Sequence, residues 1–370
     1  MRVLVSPDSF TGTLSALEAS SAIRDGWLQT NPNDEVVILP VSDGGPGFLD
    51  VVCNAFGASR IPVVVKDPIG RQIPSEFALA GTSAWIESAL ACGVQVLNPR
   101  ELDPAITSSF GVGQLLAAAI EAGATQVTIG VGGTATNDAG AGIWAALGAT
   151  SAGGELTQGG LSLREVTEVN LTAALEKVAG VKIILATDVD NPLLGARGAT
   201  ATYGPQKGAK NDLVLRLEVS LRDFTKRVGK RTDGKDAAVA LGAGSGGGIG
   251  YALLQLGAVR ESGIGYVLDS VNFAEQVRQS DLIITGEGCL DDQSLHGKVV
   301  AGIARLVADH GKPCIVLAGE VRLGKRECAS AGIDSAYSMK DLFGAQAARA
   351  DAANSLRELG ARVAKTWGRA

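Results

Sequence analysis

Residues 281–292, DLIITGEGCLDD, join a short apolar run to the acidic residues Glu287, Asp291 and Asp292. Three other segments share this layout: RVLVSPDSF (2–10, with Asp8), VVILPVSDGG (36–45, with Asp43) and KIILATDVDNP (182–192, with Asp188 and Asp190). In an open parallel sheet, ligands bind in the crevice beyond the carboxyl ends of the strands. The pattern therefore predicts an α/β fold in which these acids converge on one site, and converging carboxylates favour a cation.

Composition limits the class of protein. A chain of 370 residues, 46% of them hydrophobic and 49 of them glycine, is long enough for two domains with sizeable cores. The formal net charge is -6. An acidic balance argues against nucleic acid or an anionic membrane as the main partner. We expect small-molecule ligands and a monomer or homodimer.

The cysteines and the first residues indicate a reducing compartment. The five cysteines include no Cys-x-x-Cys spacing, and an odd number fits no closed disulfide framework. The N-terminal segment MRVLVSPDSF is too weakly apolar for a signal peptide. Apolar runs all fall short of the roughly 20 residues that span a bilayer. We expect a soluble, cytoplasmic protein.

Alternating strand and helix patterns organise the chain. The beginning predicts a βαβαβ order, with strands near 3–5, 36–39 and 61–65, and helices at 15–28 and 47–56. Short alternating segments between 70 and 90 indicate an antiparallel hairpin, and the first style returns at 281. We expect a parallel-sheet domain formed by residues 1–80 and 281–370, an inserted α/β domain formed by 81–280, and an active site in the cleft between them.

The segment GVGGTATNDAGAG, residues 130–142, follows a predicted strand and opens a helix. Its backbone N–H groups and the helix dipole suit an anion such as phosphate. Thr134, Thr136, Asn137 and Asp138 offer hydroxyl, amide and carboxylate contacts. A glycine-rich turn with Asn or Asp as the helix cap explains the segment equally well.

The segment GAGSGGGIG, residues 242–250, contains Gly-x-Gly-x-x-Gly with Asp269 further on, the pattern of a dinucleotide-binding loop. The preceding AAVAL is a poor strand, and a run so rich in glycine satisfies the pattern easily. A tightly packed loop is an equal alternative.

Two lysines stand in turns that suit an anion: Lys207 in TYGPQKGAK and Lys298, two residues after His296, in SLHGKVV. A solvated turn explains either segment equally well. The two histidines, His296 and His310, form no zinc motif, whereas Thr187, Asp188, Asp190 and Asn191 are hard ligands of the kind that Mg²⁺ prefers.

In their order along nearly the whole chain, six segments resemble the bacterial glycerate kinase family: PDSFTGTLSALEA, SDGGPGF, GVGGTATNDAGAG, TDVDNPLLGARGATATYGPQKGA, GAGSGGGIG and GEGCLDDQSLHGK. The resemblance implies ATP-dependent phosphorylation of D-glycerate to 2-phosphoglycerate with Mg²⁺. It also implies a flavodoxin-like domain built from both chain ends and an inserted mixed α/β domain similar to restriction endonucleases.

The resemblance also implies the site residues. As catalytic residues we expect Asp188, Lys207, Asp8 and Lys298; as metal ligands Asp43, Glu287 and Asp291; and as substrate or ATP contacts Ser9, Gly44, Gly45, Gly132, Gly133, Thr134, Asn137, Asp138, Asn191, Gly286 and His296. Our hypothesis makes Asp188 the base, gives Mg²⁺ to Asp43 and Glu287, and gives phosphate to Lys207 or Lys298. Asp8, Asp43, Asp188 and Asp291 can exchange these roles. Since Asp188 belongs to the insert, domain closure would bring it to the other acids.

Three positions depart from the family pattern. Thr11, Pro46 and Cys289 stand where members usually have Lys, Glu and Arg. The preferred hypothesis is a divergent subfamily with the same reaction, and a kinase for a related hydroxy acid comes second. A metabolite-binding regulator is a further alternative once these charges are lost. Independently of them, a kinase forming 3-phosphoglycerate and, from residues 242–250, an NAD-dependent dehydrogenase stay open.

Overall fold

A computed structural model describes residues 1–10, 12–295 and 298–368. These residues contain the strands β1 (Arg2–Val5), β2 (Glu35–Ile38), β3 (Ser59–Lys66), β4 (Gln72–Ala80), β5 (Ser83–Glu87), β6 (Gln126–Gly130), β7 (Thr150–Ala152), β8 (Glu168–Asn170), β9 (Lys182–Ala186), β10 (Val259–Glu261), β11 (Leu282–Leu290), β12 (Cys314–Val321) and β13 (Ser335–Ser338).

The same residues contain the helices α1 (Ala16–Thr30), α2 (Phe48–Phe56), α3 (Ala89–Cys92), α4 (Phe110–Glu121), α5 (Ala141–Ala146), α6 (Thr172–Lys177), α7 (Ala199–Tyr203), α8 (Asn211–Val228), α9 (Ile249–Gln255), α10 (Gly263–Ser270), α11 (Phe273–Gln279), α12 (Val299–Asp309), α13 (Lys325–Ser330), α14 (Met339–Phe343), α15 (Ala345–Ala350) and α16 (Ala352–Trp367). Within the described part of the chain, every helix is too short or too polar to cross a membrane.

The first compact unit consists of both ends of the chain, residues 1–43 and 264–370. Its five strands lie in the order β13-β12-β11-β1-β2, and all neighbouring pairs are parallel. Counted along the unit, this is the 2-1-3-4-5 order of the flavodoxin-like fold. The order reverses between β1 and β11, so the carboxyl ends of these two strands mark the crevice where such sheets bind ligands.

Local sequence signals explain how the first unit folds. Helix α1 begins with the predicted capping box, in which the Ser15 hydroxyl accepts from the Glu18 N–H and the Glu18 carboxylate accepts from the Ser15 N–H. Trp27 on this helix is fully buried in the core. Near the end of the chain, Asp351 separates α15 from α16 and caps α16 by accepting from the Asn354 N–H.

The second compact unit, residues 44–263, contains a mixed six-stranded sheet in the order β10-β9-β6-β5-β4-β3. The first four strands pair in parallel, whereas β4 pairs antiparallel with both of its neighbours, β5 and β3. Strands β7 and β8 form a separate antiparallel pair. Trp144, Phe224 and Tyr251 pack together in the core, with ring centroids 6.0 and 5.7 Å from Trp144. The α/β class and the parallel sheet built from both chain ends agree with the prediction.

The unit boundaries differ from the predicted ones at 80/81 and 280/281. They fall at 43/44 and 263/264, so α2 and β3 belong to the second unit. The physical reason is strand pairing, because β3 pairs antiparallel with β4 over its whole length, from Ser59 to Lys66. The chain therefore begins βαβ and leaves the first sheet before its third predicted strand.

Candidate functional site

The reversal point of the first sheet brings two predicted site residues together. Asp8 follows β1, and its backbone N–H donates a 2.8 Å hydrogen bond to the carbonyl of Gly286, the residue before Glu287. A Cβ on Gly286 would lie 2.1 Å from the carbonyl oxygen of Leu317, so this close approach of β11 and β12 requires glycine. Backbone pairing thus places Asp8 and Glu287 at the ligand crevice of the sheet.

Glu287 is a buried acid whose bonding is incomplete. Its side chain is 8% exposed, and Oε1 has no hydrogen-bond partner among the described residues. Burial raises the pKa of Glu287 to about 7, against a hydrogen bond from Ser294 and the charge of Lys298, which lower it. Asp291 and Asp43 raise it further. A buried acceptor without a donor favours a cation or a proton.

Asp8 shares this environment. Burial raises its pKa well above the usual value, and the charge of Asp43 raises it next. The Ser9 N–H, which donates to Asp8 Oδ1 at 2.6 Å, lowers the pKa; Glu287 raises it and Lys298 lowers it. The charges of Asp8, Asp43, Glu287 and Lys298 therefore act on one another, with three carboxylates against one ammonium. We call these four residues the acidic cluster.

Asp291 has a different local role. Its Oδ1 accepts from the Gln293 N–H at 3.0 Å, and its own N–H donates to the Ser294 hydroxyl at 3.0 Å, which closes the turn after β11. The Cys289 thiol lies 4.0 Å from Asp291 Oδ2. Burial raises the pKa of Cys289 and the charge of Arg322 lowers it, so a guanidinium from the next strand acts at this position.

His296 and Thr11 lie outside the described residues. Among the residues that are described, His, Cys, Asp and Glu form no group of three or more that could hold a metal ion. The predicted triad of Asp43, Glu287 and Asp291 is thus not assembled as a set of protein ligands. Mg²⁺ is usually held by one or two carboxylates, with water and substrate phosphate as its other ligands. The charges of Glu287 and Asp43 act on each other, and their role as Mg²⁺ ligands stays a prediction.

In the second unit, one row crosses the carboxyl ends of four parallel strands. Glu87, Gly130, Ala186 and Glu261 lie opposite one another in the register of β5, β6, β9 and β10. The residues that follow these strands therefore share one edge of the sheet. They include the segment 131–138 and the predicted base Asp188.

Asp188 and Asp190 each have a partner from β10 or the residue after it. The Ser262 hydroxyl donates a 2.5 Å hydrogen bond to Asp188 Oδ1, and Arg260 Nη2 lies 2.6 Å from Asp190 Oδ1. The sequence prediction missed both Ser262 and Arg260. Because β10 has only three residues, it is too short to show the alternating pattern from which a strand is predicted.

Lys207 is buried at the same edge, with 4% of its surface exposed. Its ammonium donates to the carbonyl oxygen of Thr136 at 2.7 Å and to the Thr134 hydroxyl at 3.3 Å. Burial lowers the pKa of Lys207 to about 8, although Cys92 and Asp138 raise it. The loop after β6 therefore holds a cation, as its predicted role in phosphate binding requires.

Asn137 and Asp138 are fully buried but differ in their bonding. Asp138 accepts from the Ser109 N–H and hydroxyl, both at 2.8 Å, and from the Gly140 N–H at 3.0 Å, so it ties two loops together. Asn137 donates to the Thr200 hydroxyl at 2.9 Å, whereas its Oδ1 has no partner within the described part of the chain. Asn137 thus offers an acceptor to a ligand, and Asp138 has a structural role.

The predicted binding glycines pack backbone against backbone. A Cβ on Gly132 would lie 2.5 Å from Gly45 Cα, and a Cβ on Gly133 would lie 2.9 Å from the Pro46 ring. The Gly132 N–H donates to the carbonyl of Gly44 at 3.2 Å. This close approach explains why glycine is needed here, and ligand contact by these residues stays a prediction.

Residues 242–250 also pack tightly. A Cβ on Gly247 would lie 1.8 Å from the carbonyl oxygen of Thr136, and one on Gly248 would lie 2.3 Å from Ala139 Cα. The segment before them, Ala237–Val239, is a 3₁₀ helix rather than a strand. A dinucleotide-binding loop needs a strand on that side. The dehydrogenase interpretation therefore lacks its structural context.

Asn191 is engaged within its own loop. Its side-chain amide donates to the carbonyl of Arg197 at 2.7 Å, and its Oδ1 accepts from the Tyr203 hydroxyl at 2.8 Å. These contacts fix the segment between β9 and α7, which leads to Lys207. Its role as a ligand contact stays a prediction.

Glu87 is a functional candidate that the sequence prediction overlooked. It is 3% exposed, and its Oε2 accepts from the Gly47 and Leu49 N–H groups at 3.0 and 3.2 Å, at the beginning of α2. Burial raises its pKa to about 7 against these two hydrogen bonds. The segment SAWIES has the same apolar-then-acidic layout as the four predicted segments, so this pattern was available in the sequence.

Comparisons with known proteins give one consistent family. The model of the glycerate kinase family matches residues 3–368. A glycerate kinase of Bacillus subtilis is 38% identical over 92% of this chain and 90% of its own length. A glycerate 2-kinase of Escherichia coli is 36% identical over 93% and 92%. A crystal structure assigned to glycerate kinase 2 from Salmonella typhimurium LT2 has a TM-score of 0.78, 34% identity, and coverage of 99% and 98%.

Proposed function

The chain belongs to the glycerate kinase family, and on this premise we propose that it transfers the γ-phosphoryl group of ATP to the 2-hydroxyl of D-glycerate. The products are 2-phosphoglycerate and ADP. In this reaction the acceptor hydroxyl loses a proton, the new bond forms between its oxygen and phosphorus, and the bond to the bridging oxygen of ADP breaks.

The observation that carries the proposal is the state of Glu287. It is a buried carboxylate with one oxygen unpaired among the described residues, in the acidic cluster at the reversal point of a parallel sheet. Such a group is costly unless a cation joins it. Phosphoryl transfer from ATP also requires a cation. One cation beside Glu287 would therefore both neutralise this carboxylate and serve the transfer.

Glu287 and Asp43 are the residues proposed to hold Mg²⁺, directly or through water, and Asp291 is the next candidate. When bound, Mg²⁺ supplies positive charge to the phosphate oxygens of ATP. Lys298 occupies the N-cap position of α12 without a side-chain capping hydrogen bond. A lysine charge and the dipole at a helix N-terminus both favour a phosphate group, and Lys298 is proposed to bind one. Asp8 is proposed to set the local charge of this cluster through its interactions with Asp43, Glu287 and Lys298.

Asp188 is proposed as the acceptor of the hydroxyl proton. The hydrogen bond from Ser262 fixes the direction of its carboxylate, and a fixed direction favours proton transfer from a bound hydroxyl. Lys207 is proposed to bind an anionic group, either the substrate carboxylate or a phosphate, and its hydrogen bonds to Thr134 and Thr136 fix the direction of its ammonium. Asn137 Oδ1 is proposed to accept from a substrate hydroxyl.

A coupled assay of ADP release with ATP, Mg²⁺ and D-glycerate tests the activity. ¹³C and ³¹P NMR of the product from labelled glycerate then distinguish the 2-phosphate from the 3-phosphate. Parallel reactions with L-glycerate and lactate test the alternative of a related hydroxy-acid kinase. Absence of ADP release with every acceptor would refute the kinase proposal, and a 3-phosphate product would refute the regiochemistry alone.

A further inference from the structure

Strand β10 lies at one edge of the second unit's sheet and pairs parallel with β9. Its register places Arg260 opposite Leu185 and Glu261 opposite Ala186. The Thr187 N–H extends this pairing by donating to the carbonyl of Glu261 at 3.0 Å. Ser262 directly follows Glu261, and Asp188 directly follows Thr187. The backbone pairing therefore fixes where Ser262 lies relative to Asp188.

The side chains repeat this correspondence. Ser262 donates to Asp188, and Arg260 forms an ion pair with Asp190, two residues further on. Thr187 completes the turn, since its hydroxyl accepts from the Val189 N–H at 3.2 Å. Each acid after β9 is thus held by a side chain from β10 or its end.

The ion pair is also confined on its other side. Arg260 Nε is buried, with no partner among the described residues, and a Cβ on Gly242 would lie 2.9 Å from Arg260 Cδ. Gly242 has φ +83°, so glycine serves both the backbone conformation and the space that the guanidinium needs. Such an enclosure restricts the rotamers of Arg260, whereas the side chain of Asp190 is 72% exposed.

We propose that Ser262 is a positioning residue of this enzyme: its hydroxyl orients the Asp188 carboxylate, while Arg260 pairs with Asp190. The inference deepens the proposed function, since it rests on Asp188 as the base. A hydroxyl donor favours the charged form of a carboxylate. It also restricts rotation, so that one oxygen keeps a constant direction toward the acceptor hydroxyl.

The test compares Ser262→Ala with Ser262→Thr, which keeps the hydroxyl. As a matched control, Ser151→Ala removes another short serine hydrogen bond in the same unit, 2.6 Å to the carbonyl of Gly154. We expect Ser262→Ala to lower kcat at least about tenfold with KM for ATP nearly unchanged. Ser262→Thr should recover most of the activity, and Ser151→Ala should remain at the wild-type level.

The pH profile separates positioning from a loss of fold. In Ser262→Ala the acidic limb of kcat/KM should move to higher pH by about one unit, because the ionised carboxylate has lost a donor. Within the described strand ends, Arg260 and Glu261 on β10 and Asp190 after β9 are charged, and all three are retained in the variant. An unchanged limb together with wild-type kcat would overturn the proposal.

A second measurement does not depend on activity. ¹³C-carboxyl NMR of aspartate-labelled protein can follow the titration of Asp188, with Asp188→Asn identifying its signal. The titration midpoint should move upward in Ser262→Ala and stay in place in Ser151→Ala. If the wild-type protein fails to phosphorylate glycerate, the proposed function falls while this measurement still decides whether Ser262 acts on Asp188; an unmoved midpoint refutes that action.

Discussion

The ammonium of Lys207 donates a 2.7 Å hydrogen bond to the main-chain carbonyl of Thr136, in the loop that follows β6. The lysine is almost fully buried. Its ammonium also donates to the hydroxyl of Thr134 in the same loop. A buried ammonium is unfavourable without a counter-charge. The two hydrogen bonds fix the direction of the ammonium, and its role in anion binding stays a prediction.

Replacing Lys207 with Met should abolish most activity while preserving the fold. Met fills similar space without a charge, so we expect kcat/KM to fall at least about 100-fold. The free energy of unfolding at pH 7 should change by no more than about 2 kcal/mol, since removal of a costly buried charge offsets the lost hydrogen bonds. Steady-state kinetics and urea unfolding measure both quantities. Activity near the wild-type level would exclude Lys207 from anion binding.

Lys207 also predicts opposite pH trends for activity and stability. Its pKa is lowered to about 8 in the folded protein, from 10.5. Above pH 8 the free enzyme loses the ammonium, so kcat/KM should decrease. Between pH 8 and 10.5 the unfolded chain binds the extra proton, so the free energy of unfolding should gain a positive contribution as pH rises. Lys207→Met, measured beside the wild type over this range, should lack both effects.

The sheet structure could largely be predicted from the sequence, because its signals are local. Strand β1, Arg2–Val5, contains the predicted strand at 3–5, and α1 begins at its capping box. Strand β3 was assigned to the wrong sheet, since partner choice depends on pairing with β4 rather than on its own pattern. Hydrophobic runs locate strands but do not identify their neighbours.

The site was predictable only in part for the same reason. Asp8 and Glu287 could be predicted because each of them comes shortly after an apolar run in the sequence. Ser262 and Arg260 lie at a three-residue strand far along the chain from Asp188, and only the fold connects them. The glycines of residues 130–133 suggested an anion loop, whereas their need for close packing is a property of the tertiary structure.

Glu287→Gln should weaken activation by Mg²⁺ and reduce the pH dependence of the free energy of unfolding. We expect the Mg²⁺ concentration for half-maximal activity to rise at least about tenfold, because an amide is a poor ligand for this ion. The folded pKa is raised to about 7 from 4.5, so the folded state binds more protons between these values. Without Mg²⁺, wild-type stability should therefore fall as pH rises from 4.5 to 7, by up to about 3 kcal/mol from this residue.

The matched control for Glu287 is Glu320→Gln, a glutamate of the same unit with exposed partners, Arg322 and Lys340. Its substitution should leave Mg²⁺ activation unchanged. Denaturant unfolding at pH 5 and pH 7, with and without Mg²⁺, gives the stability change. Mg²⁺ activation equal to that of the wild type in Glu287→Gln would remove this residue from the metal site.

Glu87→Gln should affect the beginning of α2 independently of Mg²⁺. Gly47 precedes this helix and has no side chain with which to cap it, so the Glu87 carboxylate accepts from the first N–H groups instead. The folded pKa is again raised, to about 7 from 4.5, and stability from this residue should decrease as pH rises through that window. The variant should show a shallower decrease, with or without Mg²⁺. If the free energy of unfolding decreases with pH as steeply in Glu87→Gln as in the wild type, the Glu87 carboxylate is not the cause of the decrease.

Gly132→Ala tests whether packing explains the glycine loop. An added Cβ would meet Gly45 Cα at 2.5 Å, a backbone atom that cannot move aside as a flexible side chain would. We expect a loss of at least about 2 kcal/mol in the free energy of unfolding, because overpacking here shifts two chain segments. The control is Gly324→Ala, whose φ is -77° and whose nearest neighbour is the flexible Glu327 carboxylate at 3.3 Å. Gly324→Ala should stay within about 0.5 kcal/mol of the wild type. If Gly132→Ala is equally stable but has lost ATP affinity, the glycine serves the ligand rather than the packing.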